Sequence, residues 1–193
     1  MDKPLGLILA GGLARRMGGQ PKADVILGGE RLLDRCAARL SPQVDDILVN
    51  ANTPVETSYP VISDSLPSYL GPLAGVLSGL QAAAERGASH IVSVAVDTPF
   101  FPCDLVPQLQ LAALDSTDGF AVAATPDGVQ GAFALWPVTL APTLQTWLTG
   151  GNRKVRDFTS HHGAAIALFP ATTPNAFFNI NTPDDLTEAA RWT

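Results

Sequence analysis

Three cations, Arg15, Arg16 and Lys22, lie close together beside Gly11, Gly12, Gly18 and Gly19. Bare glycine backbone can approach a phosphate or a base more closely than any residue with a side chain. Arg and Lys then supply charge where a polyphosphate would lie, so the stretch suits an anion cradle. Spacing excludes two common cradles. The dinucleotide fingerprint needs G-x-G-x-x-G, and the P-loop needs a Lys followed directly by Ser or Thr, whereas Lys22 is followed by Ala23. Further along, Asp97 ends the apolar run HIVSVAV. A carboxylate at the end of a buried strand is costly unless it is paired or metal-bound, which makes Asp97 the strongest single candidate. Asn50, Asn52 and Asp64 close two other short apolar runs, where open parallel sheets receive their ligands.

Those side chains require a sheet beneath them. Residues 5–10 read as a buried strand opening into the glycine loop, and residues 47–49, 61–62 and 90–96 read as further core strands. Residues 23–27 form a short extended run, and Gly28-Gly29 turns the chain into a helix over 31–40. That helix carries Leu32, Leu33, Cys36 and Leu40 on one face and Arg31, Arg35 and Arg39 on another. A second helix runs from Pro72 to Arg86 and stops at Gly87. Its small residues permit close approach, of ligand at Gly71 and Gly75, and of either ligand or sheet at Gly79. Residues 103–114 read as a helix, 120–124 and 132–136 as a hairpin turning at Asp127-Gly128, and 140–148 and 153–158 as helices. A strand over 166–169 and the run FFNINT follow, and Thr182, Pro183, Asp184 and Asp185 start a final helix.

The chain has 193 residues, 46% hydrophobic and 16% charged, with mean hydropathy +0.18, as expected for one α/β domain with a sheet covered on both faces. A net charge of −6 disfavours nonspecific binding to nucleic acid or an anionic membrane, so the clustered cations imply a small anionic client. No run approaches the length of a membrane span and no signal peptide is evident, which points to the cytoplasm. Cys36 and Cys103 read as free thiols, His161-His162 as a solvated helix end, and Trp136, Trp147 and Trp192 as packing residues.

Together, LILAGG, RRMGG with Lys22, LVNAN, ISDS, GPLAGVLSGL, VDTPF and FNINTPDDL resemble the bacterial molybdenum cofactor guanylyltransferases. The resemblance runs nearly end to end. It implies a Rossmann-like three-layer nucleotidyltransferase fold with a mostly parallel central sheet, here with a small hairpin-like insertion. It also implies transfer of GMP from GTP to molybdenum-bound molybdopterin, with release of pyrophosphate and use of Mg²⁺. By motif, Leu9, Ala10, Gly11, Lys22, Asn50, Asp64 and Asp97 would bind GTP, with Asp97 also the metal ligand and Arg16 on the polyphosphate. Gly71 and Gly75 would approach the nucleotide, and Asn179 and Asn181 the acceptor or the metal. The GNRKV stretch from Gly151 to Val155 would lie on the pterin side. Residues 1–100 would then take the nucleotide and 101–193 the acceptor. A monomer is expected, meeting molybdopterin-delivering proteins and molybdoenzyme chaperones. The sequence departs from the family at Pro21, Val96 and the stretch Val129 to Ala132. The remaining readings are a cytidylyl- or sugar-phosphate nucleotidyltransferase and a noncatalytic nucleotide or pterin carrier.

Overall fold

The computed structural model describes residues 3–11, 19–66 and 71–193. In chain order, β1 (Leu5–Leu9) is followed by the short pair β2 (Ile26–Leu27) and β3 (Glu30–Arg31), then α1 (Leu32–Leu40), β4 (Ile47–Asn50) and β5 (Val61–Ile62). Next come α2 (Pro72–Glu85), β6 (His90–Ala95), α3 (Leu105–Ala113), β7 (Ala121–Thr125) and β8 (Gly128–Pro137). The chain ends with α4 (Ala141–Thr149), α5 (Val155–His161), β9 (Ala165–Leu168) and α6 (Pro183–Ala189). Seven strands form the central sheet in the order β5-β4-β1-β6-β8-β7-β9. Within it β8 alone runs against its neighbours.

The expected hairpin is therefore part of the main sheet. Its second strand is longer than the sequence suggested and lies directly beside β6, pairing Ile91 with Trp136. Turn chemistry predicts that two strands return on each other, but only packing decides whether the pair stays outside or enters the sheet. Residues 23–27 also differ from a continuous extended run, since Lys22–Asp24 is one turn of 3-10 helix before β2. The run FFNINT forms no strand, and is held by Ile180 N–H donating to Asp97 O at 2.8 Å.

Alternation along the strands divides the core into two layers. Ile8, Val49, Val92 and Val94 face α1 and α3, against Leu33, Cys36, Leu40, Leu105 and Leu109. On the other face, Leu7, Leu48 and Ile91 meet α2, α4 and α5 through Leu77, Leu80, Leu144 and Phe158. Gly79 lets α2 settle onto the sheet, since a Cβ there would stand 2.6 Å from Leu7 Cδ2, so packing accounts for this glycine. Fully buried Ser93 accepts from Trp136 Nε1 at 2.9 Å and donates to Ala132 O at 2.8 Å, satisfying the polar groups inside the sheet.

Two histidines at the edges of this core give it a pH dependence. His90 begins β6 half-buried, and among the described residues its Nε2 has no partner of good hydrogen-bond geometry. Desolvation lowers its pKa, although the ring lies against the backbone of Gly119, which opposes the shift. His162 is likewise lowered by desolvation and then by neighbouring His161, with its ring 4.3 Å from that of Phe158. His161 is exposed as expected of a helix end, but His162 is packed rather than solvated. Because both folded-state values lie below the unfolded value of about 6.5, stability is fully present above that pH and declines as pH falls toward the folded values. The urea midpoint should therefore drop between neutral pH and the range below about 6. A His90→Gln, His162→Gln double variant should flatten that decline, and an unchanged slope would assign it to other groups.

Candidate active site

The carboxyl ends of β1, β4 and β6 lie at one level, since Leu9 is in register with both Asn50 and Ala95. Backbone bonds just beyond them, Ala10 N to Asn50 O at 2.8 Å and Val96 N to Leu9 O at 3.2 Å, hold the three exits together. Leu9, Ala10 and Gly11 therefore lie at the common exit of the three strands, with side-chain groups to either side. Gly11 faces Asn50, whose Oδ1 would be 3.9 Å from a Cβ at that position.

On one side, Asn50 is buried and donates through Nδ2 to Asp64 Oδ1 at 3.0 Å and to Ile62 O at 3.3 Å. Asn52 donates to the second oxygen of Asp64 at 2.8 Å, and Asp64 N–H returns a bond of 2.8 Å to Asn52. The two strand ends predicted to meet a ligand thus form one locked amide–carboxylate unit. Gly75, in the first turn of α2, lies directly over it. A Cβ there would collide with Asn50 Oδ1 and stand 2.7 Å from its Cγ and 2.9 Å from Leu9 Cδ2. The glycine predicted to admit a ligand also makes room for Asn50. Gly71, the exposed N-cap of α2, has φ +77° with open space around it. Only glycine adopts that geometry without strain, and it leaves the helix N-terminus approachable.

On the other side, Lys22 Nζ lies 2.6 Å from Asp97 Oδ2 and donates to Asn181 Oδ1, also at 2.6 Å. The pair is mostly shielded, with 16% of the Lys22 and 17% of the Asp97 side chain exposed. Thr98, fully buried, places its hydroxyl 2.8 Å from Asn179 Oδ1 and 3.2 Å from Asp97 Oδ1. Thr98 was not singled out in the sequence, although its place in the VDTPF motif was a signal. The capping box of α6 fixes the other half: Asp185 accepts from the N–H groups of Asn181 and Thr182 at 2.9 and 2.8 Å, and Thr182 Oγ1 accepts from Asp185 N–H. Residues separated by 159 positions in the chain are thereby placed within one hydrogen bond.

Arg16 lies outside the described residues. The GNRKV stretch is brought to the surface between α4 and α5, where Arg153 caps α4 by donating to Leu148 O and Val155 packs on Gly131 of β8. Among the described residues, its hydrogen bonds do not reach the Lys22–Asp97–Asn181 group. The described groups at the strand ends are cationic, anionic and amide. They are suited to holding and neutralising phosphates rather than to forming a covalent intermediate.

Known proteins resemble this chain along nearly its whole length. Residues 6–166 match the family model described as MobA-like NTP transferase domain. The chain is 44% identical to a molybdenum cofactor guanylyltransferase of Rhizobium johnstonii, over 97% of this chain and 91% of that protein. It is 47% identical to one from Cereibacter sphaeroides, over 95% and 94%. In fold it resembles molybdopterin-guanine dinucleotide biosynthesis protein A from Archaeoglobus fulgidus, with TM-score 0.76, 22% identity and 97% of each chain covered. A Thermus thermophilus 2-C-methyl-D-erythritol 4-phosphate cytidylyltransferase has the same fold at TM-score 0.70 and 22% identity, covering 100% and 98%. The fold alone thus spans different transferases, whereas identity of 44–47% along nearly the whole of both chains does not, and the chain belongs to the molybdenum cofactor guanylyltransferase family.

Proposed function

We infer that this chain transfers GMP from GTP to the terminal phosphate of molybdenum-bound molybdopterin, using the cleft between the Asn50–Asp64 unit and the Lys22–Asp97–Asn181 group. An acceptor phosphate oxygen attacks the α-phosphorus of GTP, the bond from that phosphorus to the β-phosphate bridge breaks, and pyrophosphate leaves. The observation that carries this reading is Lys22 Nζ held 2.6 Å from both Asp97 and Asn181, at the end of the central strands. An ammonium there can hold phosphate oxygens, and the glycine backbone at Gly11 admits the nucleotide. Leu9, Ala10, Asn50, Asp64, Gly71 and Gly75 take the nucleoside side, while Asn179 and Asn181 position the acceptor beside Asp97. Residues of about 1–100 thus serve GTP and those of 101–193 mainly the acceptor, with Arg16 assigned to the polyphosphate.

The donor set also fits Mg²⁺. Asp97 and the amide oxygens of Asn179 and Asn181 are hard ligands, and the Lys22 ammonium between Asp97 and Asn181 marks a position that favours positive charge, which the metal would share with it or take over. Among the described residues no cluster of three His, Cys, Asp or Glu side chains exists. That is compatible with an ion that keeps most of its waters and is shared with substrate phosphates. Asp97 would hold it, and when bound it would supply charge neutralisation to the leaving pyrophosphate. We place this reaction in the cytoplasm, performed by a monomer that meets molybdopterin-delivering proteins and molybdoenzyme chaperones. Among the described residues no helix is long and apolar enough to cross a membrane.

Calorimetry with GTP, CTP and ATP, each with and without Mg²⁺, tests the assignment. GTP should bind at least about tenfold more tightly than the others, with a further gain from Mg²⁺. Preference for CTP would move the chain to cytidylyl transfer, and GTP binding without dinucleotide formation from molybdopterin would indicate a carrier.

A further inference from the structure

The arginine face of α1 is not used by the reaction. Arg31 is committed to Asp34, Asp24 and the Glu56 carbonyl. Arg35 and Arg39 instead line a groove of about 770 Å³, with Ala38 between them. Each is oriented through its Nε, which donates to Leu27 O at 2.9 Å in Arg35 and to Phe101 O in Arg39. Glu30 lies 3.5 Å from Arg35 Nε and is the one acid of the lining, so the groove carries two cations and one anion in a chain of net charge −6. Among the described residues, the terminal nitrogens of Arg35 and Arg39 have no protein hydrogen-bond acceptor.

The remaining walls are of a particular kind. Phe100 and Trp192 meet edge-to-face at 5.4 Å, and prolines 99, 102 and 174 flank them. Proline has no N–H, so these walls offer apolar surface and few groups that could read a nucleobase. Aromatic surfaces of this sort receive extended polyproline-type segments, whose backbone remains solvated and needs no partner strand. Spacing agrees with such a ligand. Arg35 and Arg39 are four residues apart on a helix, an advance of about 6 Å, and residues two apart in a polyproline helix advance by about the same, on adjacent edges of its threefold cross-section that a groove can contact together.

We propose that this groove is a docking site for an extended, proline-containing segment of a partner protein, with two carboxylates two residues apart that engage Arg35 and Arg39. The groove also adjoins the reaction site. Pro99 directly follows Thr98, and Ala176 lies just before the segment carrying Asn179 and Asn181. A partner anchored here lies beside the strand ends where the dinucleotide is made, without occupying the cleft. The inference rests on the groove itself and stands apart from the nucleotide assignment.

The test uses the full chain and a labelled peptide, acetyl-Pro-Pro-Glu-Leu-Glu-Pro-Pro-amide, followed by fluorescence anisotropy. Binding should weaken with added salt and fall about tenfold when both Glu residues of the peptide are replaced by Gln. Ala38→Glu, an exposed exchange of one good helix former for another that adds a repelling carboxylate, should weaken binding about tenfold while leaving guanylyl transfer unchanged and the melting temperature within a few degrees of the parent. A local reporter lines the groove, since Cys103 is exposed. Burial, and then the Asp97 charge, push the Cys36 thiol far above its usual value, so iodoacetamide should label Cys103 alone. Bound peptide should slow that labelling. Absence of binding at millimolar peptide, binding indifferent to Ala38→Glu, or equal protection of Cys103 by free citrate would each overturn the proposal.

Discussion

Asp97→Asn should reduce guanylyl transfer on the order of 10²–10³-fold in kcat while changing the KM for GTP much less. The substitution preserves shape, and the contacts that place the residue survive it. Ile180 N–H still donates to the backbone oxygen at position 97, and Thr98 remains beside the side-chain oxygen. What is lost is the negative charge that organises Lys22 and, in the proposed mechanism, the cation. Charge that acts where the transition state concentrates it appears in kcat, whereas uniform binding of substrate appears in KM. Steady-state kinetics at saturating molybdopterin, together with the melting temperature, provide the check. A variant within about threefold of the parent, or one losing activity only through a raised KM, would remove Asp97 from the reacting centre and leave it as a structural partner of Lys22.

Gly75→Ala should weaken GTP binding by about tenfold or more, although alanine is the better helix former. The added methyl would collide with Asn50 Oδ1 and approach Leu9 Cδ2, the two residues at the base of the cleft. Asn50 can escape only by turning away from Asp64 and Ile62, to which it donates. Overpacking of about 1–3 kcal/mol and a lost hydrogen bond of about 1 kcal/mol together exceed the helix gain of about 1 kcal/mol, so stability should fall modestly as well. Gly79→Ala separates the two effects. Its methyl meets Leu7 and Ile91 in the core, so it should lower the urea midpoint without altering the calorimetric affinity for GTP. Equal affinities for GTP in the Gly75→Ala variant and the parent would show that Asn50 does not shape the nucleotide site.

These two predictions differ in where they could be read. Asp97 stands after HIVSVAV, and an acid that ends the most strand-like run of a chain needs no coordinates to be noticed. The same local logic predicted the helices over 31–40 and 72–86, which form over 32–40 and 72–85, together with the Gly87 stop, the turn at Gly28-Gly29 and the helix start at Thr182. Each depends on periodicity, φ preference or hydrogen bonds between near neighbours, and those are written in consecutive residues. Shared motifs extended that reading to the family, since guanylyltransferase signatures occur from Leu9 to Asn181 in order.

Tertiary structure decided the rest. Nothing in the run from Pro72 to Gly79 shows that Gly75 must make room for Asn50, because the deciding atom comes from a strand more than twenty residues away. The run Phe177–Thr182 carries no element of its own, and it is the bond from Ile180 to the backbone of Asp97 that leaves Asn179 and Asn181 facing the site. The hairpin was legible, but not the entry of its second strand between β6 and β7. Arginine periodicity on α1 was legible too, but not the aromatic and proline walls that make its outer face a groove. Sequence determined which elements form and which chemistry they carry, since both depend on local chain preference and residue type. Folding determined which of those groups meet, since the contacts of Lys22 with Asp97 and Asn181 join positions that only the assembled sheet can bring within bonding distance.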